Sequence, residues 1–326
     1  MTVLLTGAAG FIGYHVATAL LARGESVVGV DNLTPYYDPD LKRARLARLE
    51  GQPGFSFHEM SVADRITFAA LAAIRRDVTR VVHLAAQAGV RHSLEHPFDY
   101  AEANLEGHLA VLELCRRLPR LDHLVYASSS SVYGANEKLP FSIDDRTDRP
   151  ISLYGATKKA GELMAAAYSH LFRLKATGLR FFTVYGPWGR PDMSAWLFTK
   201  AIFEGRPIPV FNHGDMQRDF TFIDDIVHGV LAALDRPPPE GGAAPPHRLY
   251  NLGNSRSEKL LRFIGLIETA VGQKAILDLR PMQPGDVKDT FADIAAARAD
   301  LGFEPKTTID AGIPRFVAWY REYHGL

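Results

Sequence analysis

The chain is predicted to fold as an α/β protein with a doubly wound parallel sheet. Three features predict this fold: short apolar runs typical of buried strands, helical stretches that alternate with those runs, and a glycine-rich turn between the first run and the first helix. Parallel strands need a crossover to reach one another, and a helix usually supplies it. Regular alternation therefore favours a parallel sheet with helices on both faces. The 326 residues are enough for one large or two moderate domains.

The first unit of the fold lies within residues 1–31. An apolar strand at residues 3–6 leads directly into the turn Gly7-Ala8-Ala9-Gly10-Phe11-Ile12-Gly13. Apolar residues at helical spacing follow, Gly24 closes the helix, and a second buried strand ends in Asp31. Strand, turn, helix and strand in this order predict a βαβ unit.

Later segments continue the alternation. Strands are predicted at residues 55–59, 80–84, 123–127 and 176–182, and helices around 40–50, 64–75, 98–117 and 153–172. Beyond residue 183 the segments become shorter and richer in proline, which predicts a second, smaller and discontinuous α/β region. A strand at 220–223 and an apolar helix at 224–234 are expected to return the chain to the sheet. The stretch 236–247, with five prolines and two glycines, is interpreted as a surface loop.

Composition narrows the class of protein. The formal net charge of +0 gives no support for a nucleic-acid or acidic-membrane partner. A single cysteine, Cys115, excludes an intramolecular disulfide and favours a reducing compartment. The sequence contains no run of about 20 apolar residues of the kind that spans a membrane. We therefore expect a cytoplasmic protein with neither membrane nor nucleic acid as a partner.

The glycine turn predicts a dinucleotide site. In a strand–turn–helix context, Gly7 permits the tight turn, Gly10 lets a pyrophosphate approach the backbone, and Gly13 lets the helix pack closely on the sheet. Asp31, at the end of the second strand, is placed to accept hydrogen bonds from ribose hydroxyls and to repel a 2′-phosphate, which favours NAD over NADP. The basic residues just downstream, Lys42, Arg43 and Arg45, are interpreted as a solvated helix face.

Tyr154 and Lys158 are the candidate catalytic pair. Their four-residue spacing on the helix predicted at 153–172 puts both side chains on one face. An ammonium beside a phenol favours the phenolate, so we expect the pKa of Tyr154 to fall towards neutrality. A tyrosine tuned in this way exchanges a proton with a substrate hydroxyl.

Several segments together resemble a known family. The segments are 6–13, 31–33 with 36–37, 83–91, 126–134, 154–158, 180–193, 217–225 and 282–286. They resemble the extended short-chain dehydrogenase/reductase family, and more specifically the UDP-glucuronate 4-epimerases, over essentially the whole chain. The resemblance implies a Rossmann NAD-binding domain at 1–182 plus about 219–250. It also implies a UDP-sugar-binding domain at about 183–218 plus 251–326.

The resemblance also implies roles for individual residues. Those expected along the cofactor are Gly7, Gly10, Phe11, Ile12, Gly13, Asp31, Asn32, Asp64, Leu84, Ala85, Ala86, Gln87, Asn104, Tyr154 and Lys158. Those expected along the UDP-sugar are Ser129, Ser130, Ser131, Arg91, Thr183, Gly189, Arg190, Phe211, Arg218 and Asp286. Ser129 is implied as the catalytic partner of Tyr154 and Lys158. By the same analogy we expect a homodimer built from the helices at 98–117 and 153–172.

The implied reaction is reversible inversion at carbon 4 of UDP-glucuronate, giving UDP-galacturonate through a transient 4-keto sugar with NAD as hydride shuttle. Dehydratase and decarboxylase relatives carry acidic residues where this chain has Ser130 and Ser131, and this difference favours epimerisation alone. A 4-keto uronate is a β-keto acid that can lose carbon dioxide, and Ser130, Ser131 and Arg190 are the residues expected to hold its carboxylate. Epimerisation of a neutral UDP-hexose, UDP-glucuronate decarboxylation and a catalytically silent NAD-binding sensor are the alternatives.

A metal centre is not expected. His92 and His96 are four residues apart, but nothing near them in the sequence suggests a third ligand.

Overall fold

The computed structural model describes residues 1–283 and 287–326. The described strands are β1 (Thr2–Thr6), β2 (Ser26–Asp31), β3 (Phe55–Glu59), β4 (Arg80–His83), β5 (His123–Ser129), β6 (Ala176–Phe181), β7 (Thr183–Tyr185), β8 (Pro207–Val210), β9 (Gln217–Arg218), β10 (Phe220–Phe222), β11 (His247–Leu252), β12 (Glu258–Lys259) and β13 (Ile276–Leu279).

The described α-helices are α1 (Phe11–Ala22), α2 (Pro39–Glu50), α3 (Arg65–Ile74), α4 (His92–Glu95), α5 (Pro97–Tyr100), α6 (Gly107–Arg117), α7 (Leu153–Phe172), α8 (Ser194–Phe203), α9 (Ile223–Leu234), α10 (Leu260–Val271), α11 (Ala295–Leu301) and α12 (Ile309–His324). A π-helical turn (Ala101–Glu106) joins α5 to α6, and a 3₁₀ turn (Ser130–Tyr133) follows β5. No helix among the described residues combines the length and the apolar character that a membrane crossing requires.

Seven parallel strands form the central sheet in the order β3-β2-β1-β4-β5-β6-β11. This arrangement confirms the predicted fold class. The order of the strands reverses between β1 and β4, which are neighbours in the sheet. Ligands of doubly wound sheets bind in the crevice that such a reversal opens at the carboxyl ends of the strands.

The seventh strand differs from the prediction. The strand expected at 220–223 is β10, and it pairs with the short β7 outside the central sheet. The sheet is completed by β11, which starts where the proline-rich loop ends and pairs with β6 over six residues. An apolar pattern identifies a buried strand but carries no information about its partner, so the sequence did not show that β10 pairs outside the central sheet.

The second region packs an aromatic layer around α12. Here β8 pairs with β13 and β9 with β12, and helices α8, α10 and α12 lie together. Phe316 and Tyr320 on α12 are buried, and the Trp196 and Trp319 rings lie 5.4 Å apart. The aromatic side of this last helix therefore serves packing.

Two of the basic residues of α2 are buried, so their interpretation as a solvated face was wrong. Arg45 is fully buried, and its guanidinium donates to the carbonyls of Ala9 (3.0 Å) and Trp188 (2.7 Å). Lys42 is also buried and donates to the carbonyl of Thr34 (2.8 Å), whereas Arg43 is exposed as expected. The carbonyls that accept from Arg45 come from the glycine turn and from a loop more than 140 residues away. Arg45 thereby fixes the glycine turn against the second region.

Candidate active site

A cleft of about 1100 Å³ runs across the carboxyl ends of the central strands. The glycine turn lines one end, and side chains of the second region, among them Phe211 and Arg218, line the other. Ser129, Tyr154 and Lys158 line the cleft as well. Residues predicted to contact the cofactor and residues predicted to contact the sugar therefore line one continuous cleft.

The glycine turn forms a close-fitting cradle. Gly7 has a left-handed φ of +74°, which favours glycine, and a Cβ there would lie 2.8 Å from the backbone nitrogen of Ala85. A Cβ on Gly13 would lie 2.0 Å from the carbonyl oxygen of Gly7, so α1 packs on the turn more closely than any other residue permits. Phe11 and Ile12 line the cleft beside the amino end of α1, where a phosphate is favourably bound.

Asp31 lies at the carboxyl end of β2 and faces the cleft. Its carboxylate accepts hydrogen bonds from the backbone nitrogens of Ala9 (3.1 Å) and Leu33 (2.9 Å). Burial raises the pKa of Asp31, and the nearby Lys42 opposes that rise. A buried carboxylate with oxygen lone pairs left over suits a pair of ribose hydroxyls. Asn32 lines the cleft next to it.

The loop after β4 forms the opposite wall of the cofactor end. Leu84, Ala85, Ala86 and Gln87 all line the cleft. Asn104 lies behind this loop: its side chain accepts from the backbone nitrogen of Gln87 (2.8 Å) and donates to the carbonyl of Gln87 (3.0 Å) and to Thr157 Oγ1 (3.1 Å). Asn104 thus clamps the loop to the helix that carries Tyr154 and Lys158.

Asp64 and Gly189 are placed differently from expectation. Asp64 caps the start of α3, where its carboxylate accepts from the backbone nitrogens of Ile66 and Thr67, outside the cleft lining that the described residues define. Gly189 is buried beneath the cleft, with its carbonyl accepting from Arg45 (3.2 Å). Asp286 lies outside the described residues.

Tyr154 and Ser129 meet where α7 starts against the 3₁₀ turn after β5. Ser152 Oγ caps α7 by accepting from the backbone nitrogen of Gly155 (3.0 Å). A Cβ on Gly155 would lie 2.5 Å from the carbonyl oxygen of Ser131, so this glycine lets α7 approach the turn. The Ser129 side chain hydrogen-bonds Tyr154 and also accepts from the backbone nitrogen of Ser131 (3.1 Å).

The charges around Tyr154 differ from the sequence expectation. Burial raises the pKa of Tyr154 above its ordinary value, and the hydrogen bond with Ser129 and the positive charge of Arg190 oppose that rise only in part. The expected fall towards neutrality is therefore wrong for this structure. Lys158 donates to the carbonyl of Ala127 (3.1 Å), and burial lowers its pKa to about 8. The helical spacing predicted that the two side chains share a face. It did not predict how strongly the burial of Tyr154 disfavours its charged phenolate form.

A buried ion pair between Arg180 and Glu162 joins the elements that carry the catalytic residues. Arg180 on β6 donates to both carboxylate oxygens of Glu162 on α7, at 2.7 and 2.9 Å. Ser128, the neighbour of Ser129, donates to the same carboxylate at 2.7 Å. Both members of the pair are almost fully buried. A bidentate pair with its lone pairs satisfied holds β5, β6 and α7 in one register.

Arg190 is held by a second network at the sugar end. Its Nε and Nη2 donate to the two carboxylate oxygens of Asp192 (3.0 and 2.5 Å). Tyr36, from the loop after β2, donates to the same carboxylate (3.0 Å). All three residues line the cleft. The sequence analysis did not assign a role to Tyr36 or Asp192, and no local pattern reveals a contact across 156 residues.

The remaining sugar-end residues surround the far part of the cleft. The guanidinium of Arg91 lies 4.7 Å from the ring centroid of Phe211, a cation–π contact. Arg218 on β9 donates to the carbonyl of Lys288 (2.7 Å). Ser130, Ser131 and Thr183 line the cleft between these residues and Tyr154.

The fold and the site define a class of protein: a dinucleotide-dependent enzyme with a tyrosine acid/base. The residues fit NAD, because the glycine cradle leaves room for a backbone–phosphate approach and a buried carboxylate stands where the adenine ribose would lie. The family model described as the NAD dependent epimerase/dehydratase family matches residues 3–253. The chain belongs to this family, and its cofactor is NAD.

Individual relatives match along nearly the whole chain. UDP-glucuronate 4-epimerase 4 of Arabidopsis thaliana is 47% identical over 99% of this chain and 76% of its own length. A probable UDP-glucuronate 4-epimerase of Rhizobium meliloti (strain 1021) is 46% identical over 98% of this chain and 97% of its own. The crystal structure of UDP-glucuronic acid 4-epimerase from Bacillus cereus in complex with UDP-glucuronic acid and NAD is 33% identical. It superposes with a TM-score of 0.90 over 99% of this chain and 100% of its own.

Proposed function

We propose that this protein catalyses the reversible conversion of UDP-glucuronate into UDP-galacturonate by inversion at carbon 4. The observation that carries the proposal is the meeting of Ser129 and Tyr154 with Lys158 in a cleft that has a glycine cradle at one end. Relatives named UDP-glucuronate 4-epimerase that match along almost the whole chain support the choice of substrate.

The chain's own residues account for proton movement and for orientation. Tyr154 accepts the proton of the 4-hydroxyl and returns it to the product, while Ser129 hydrogen-bonds the same oxygen. NAD, when bound, supplies the hydride acceptor and donor at carbon 4 and, in its oxidised form, a positive ring that favours the phenolate of Tyr154. Lys158 would hydrogen-bond the ribose beside that ring, and its charge at neutral pH favours the same phenolate.

We propose that Ser130, Ser131 and Arg190 hold the substrate's carboxylate. Hydroxyl donors and a guanidinium bind a carboxylate, and neither hydroxyl acts as the extra acid or base that elimination needs. Loss of carbon dioxide from the 4-keto sugar requires the carboxylate bond to align with the ketone π system. Arg190, itself fixed by Asp192 and Tyr36, would keep the carboxylate out of that alignment.

The remaining expected residues keep their proposed roles. Arg91, Thr183, Gly189, Phe211, Arg218 and Asp286 would contact the UDP-sugar, and Asp64 and Asn104 would act at the adenine and along the cofactor. We propose a Rossmann domain at 1–182 plus about 219–250, and a UDP-sugar-binding domain at about 183–218 plus 251–326. The single buried thiol, Cys115, supports work in a reducing compartment, the cytoplasm.

We also propose a homodimer that uses α6 and α7. These helices pack on each other and expose large apolar side chains, including Leu109 (41% exposed) and Leu163 (60% exposed). Sedimentation is expected to show a dimer for the unchanged protein and a monomer for Leu163→Glu, because a buried unpaired charge opposes association. Leu261 on α10 is also an exposed leucine (47% exposed), but it lies outside the proposed interface, so Leu261→Glu should stay dimeric. A Leu163→Glu protein that remains a dimer would place the interface elsewhere.

One substrate comparison tests the proposed function. The protein is incubated separately with UDP-glucuronate and UDP-glucose, and the sugar signals are followed by NMR. We expect UDP-galacturonate from the first and little turnover of the second. A clear preference for UDP-glucose would favour epimerisation of neutral sugars, and carbon dioxide with a UDP-pentose as the main products would favour the decarboxylase.

A further inference from the structure

A cluster of side chains of metal-ligating type lies at the mouth of the cleft, on α4, on α5 and on the residue between them. The imidazole rings of His92 and His96 stack with their centroids 4.3 Å apart. Asp99 Oδ2 lies 3.5 Å from His92 Nε2. The expectation that no third ligand accompanies the two histidines was therefore wrong. Pro97 starts a new short helix, which brings Asp99 next to His92, and the sequence does not reveal this turn.

We propose that His92, His96 and Asp99 bind a divalent transition-metal ion, with Zn²⁺ the best match. One possible ligand atom from each residue lies within 4.8 Å of the other two. Two imidazole nitrogens and a carboxylate oxygen form a donor set that Zn²⁺ accepts, with a fourth position left for water. His96 and Asp99 are exposed, so their side chains are free to rotate to the ligand distance of about 2.1 Å.

The backbone around the cluster is already fixed. The His96 backbone nitrogen donates to the His92 carbonyl (2.9 Å), and Ser93 Oγ donates to the Val90 carbonyl (2.6 Å). Tyr100, directly after Asp99, donates to the Ala88 carbonyl (2.8 Å). All three ligands fall within eight residues of one another along the chain, so little chain entropy is lost when an ion joins them.

The position of the cluster connects it to the substrate end. His92 and Asp99 line the cleft. The His92 ring also packs on Tyr36, at 4.7 Å between centroids, and Tyr36 donates to the carboxylate that holds Arg190. An ion bound here restrains the His92 ring against which Tyr36 packs, and so restrains the network that holds Arg190. We therefore expect Zn²⁺ to lower turnover.

The test uses untagged full-length protein. Zn²⁺ binding is measured by calorimetry, and Co²⁺ binding by the visible absorption that a tetrahedral site produces. We expect one Zn²⁺ per chain, weaker binding by about tenfold or more in His96→Gln and in Asp99→Asn, and no comparable binding of Mg²⁺, which prefers oxygen ligands. His170→Gln, which removes another exposed histidine at the end of α7, is the matched control and should bind like the unchanged protein.

Several results would overturn the site. They are the absence of Zn²⁺ binding, equal binding by the unchanged protein and both ligand variants, or loss of binding in His170→Gln. Circular dichroism and melting of each variant show that weaker binding does not come from misfolding. Turnover gives a separate readout: Zn²⁺ should slow the unchanged protein and not His96→Gln. Equal slowing of both would contradict the connection to the substrate end.

Discussion

Tyr154 is the residue on which the proposed chemistry depends. Replacing it with phenylalanine removes the acid/base while leaving the ring that packs at 6.1 Å from Tyr100. We expect Tyr154→Phe to lose turnover by about 100- to 10,000-fold, the usual contribution of a positioned acid/base. Turnover is measured with UDP-glucuronate, and the NAD content of the purified protein should stay unchanged.

Tyr250→Phe is the matched control for this substitution. The Tyr250 hydroxyl donates to Asp300 (2.8 Å), outside the cleft lining that the described residues define. We expect it to lose about 1 kcal/mol of stability and to keep its turnover. Near-normal turnover by Tyr154→Phe would remove the tyrosine from the mechanism.

Arg190 is the residue that should decide which product leaves. Arg190→His shortens the side chain and breaks the bidentate pair with Asp192. We expect slower epimerisation and release of carbon dioxide with a UDP-pentose, detected by NMR. Asp192→Asn keeps the guanidinium but removes its charged partner, and should produce a smaller share of pentose.

A surface arginine provides the control for Arg190. Arg262 pairs with Asp310 on the exposed side of α10. Arg262→His should leave the product ratio unaltered. The assignment of Arg190 fails if Arg190→His neither slows epimerisation nor releases pentose.

At the scale of single residues, most of the site residues predicted from the sequence line the cleft, but the partners that hold them were not predicted. Helical spacing pointed to Tyr154, and the family resemblance pointed to Ser129 and Arg190. The contacts that orient Arg190 cross from residue 36 to residue 192, and no periodicity describes such a contact. The pKa of Tyr154 was missed for a related reason: burial depends on how every element packs, not on the helix that carries the residue.

The glycine turn and α1 behave as one element. A Cβ on Gly13 would lie 2.0 Å from a backbone oxygen that has no room to move. We expect Gly13→Ala to cost about 1–3 kcal/mol of stability, as overpacking usually does, and to reduce the NAD retained on purification. Thermal melting and extraction of the bound nucleotide measure the two effects.

Gly265→Ala on α10 is the control for Gly13→Ala, because it makes the same substitution at a position where a Cβ has room. Apart from the neighbouring residues and the backbone of the helix itself, no heavy atom of the described residues lies within 4 Å of a Cβ at this position. Alanine favours a helix interior over glycine by about 1 kcal/mol, so this variant should melt no lower than the unchanged protein. If Gly13→Ala melted and held NAD like Gly265→Ala, close packing of the turn would not matter.

At the scale of elements, the prediction was right wherever a strand or helix repeats a clear period. The six strands from β1 to β6 and helices α2, α3 and α7 lie where the pattern put them. The predicted helix at 98–117 contains a π-helical turn, and β11 was hidden behind a proline-rich loop. Arg45 on α2 was read as solvated because its charge suggests exposure, although distant carbonyls satisfy it in the core.

Buried histidines make the stability of the whole molecule depend on pH. Burial lowers the pKa of His15, His123 and His247 to about 4 each. The unfolded chain therefore binds more protons between about pH 6.5 and 4, and the free energy of unfolding should fall as pH falls through this window. Burial lowers the pKa of His83 and His108 as well. It raises the pKa of Asp219 to about 6 and also raises the pKa of Asp31 and Glu25, which acts in the opposite direction, but the buried histidines outnumber these carboxyl groups.

Urea unfolding at a series of pH values between about 7 and 4.5 measures how the free energy of unfolding depends on pH. His123→Asn should give a shallower slope, because one of the buried histidines is gone. His170→Gln, at an exposed position, should leave the slope unchanged. A free energy of unfolding that stays level across the window would contradict the account of these buried rings.

In the proposed reaction, one hydride leaves carbon 4 and returns to the same carbon. The direct measurement uses UDP-glucuronate carrying deuterium at carbon 4, incubated in ordinary water without added NAD, with the product followed by NMR. We predict UDP-galacturonate that keeps the deuterium at carbon 4, since the same hydride is returned to the opposite face of the ring. Loss of the deuterium to solvent during inversion would contradict the claim, because it would mean that carbon 4 exchanges a proton and not a hydride.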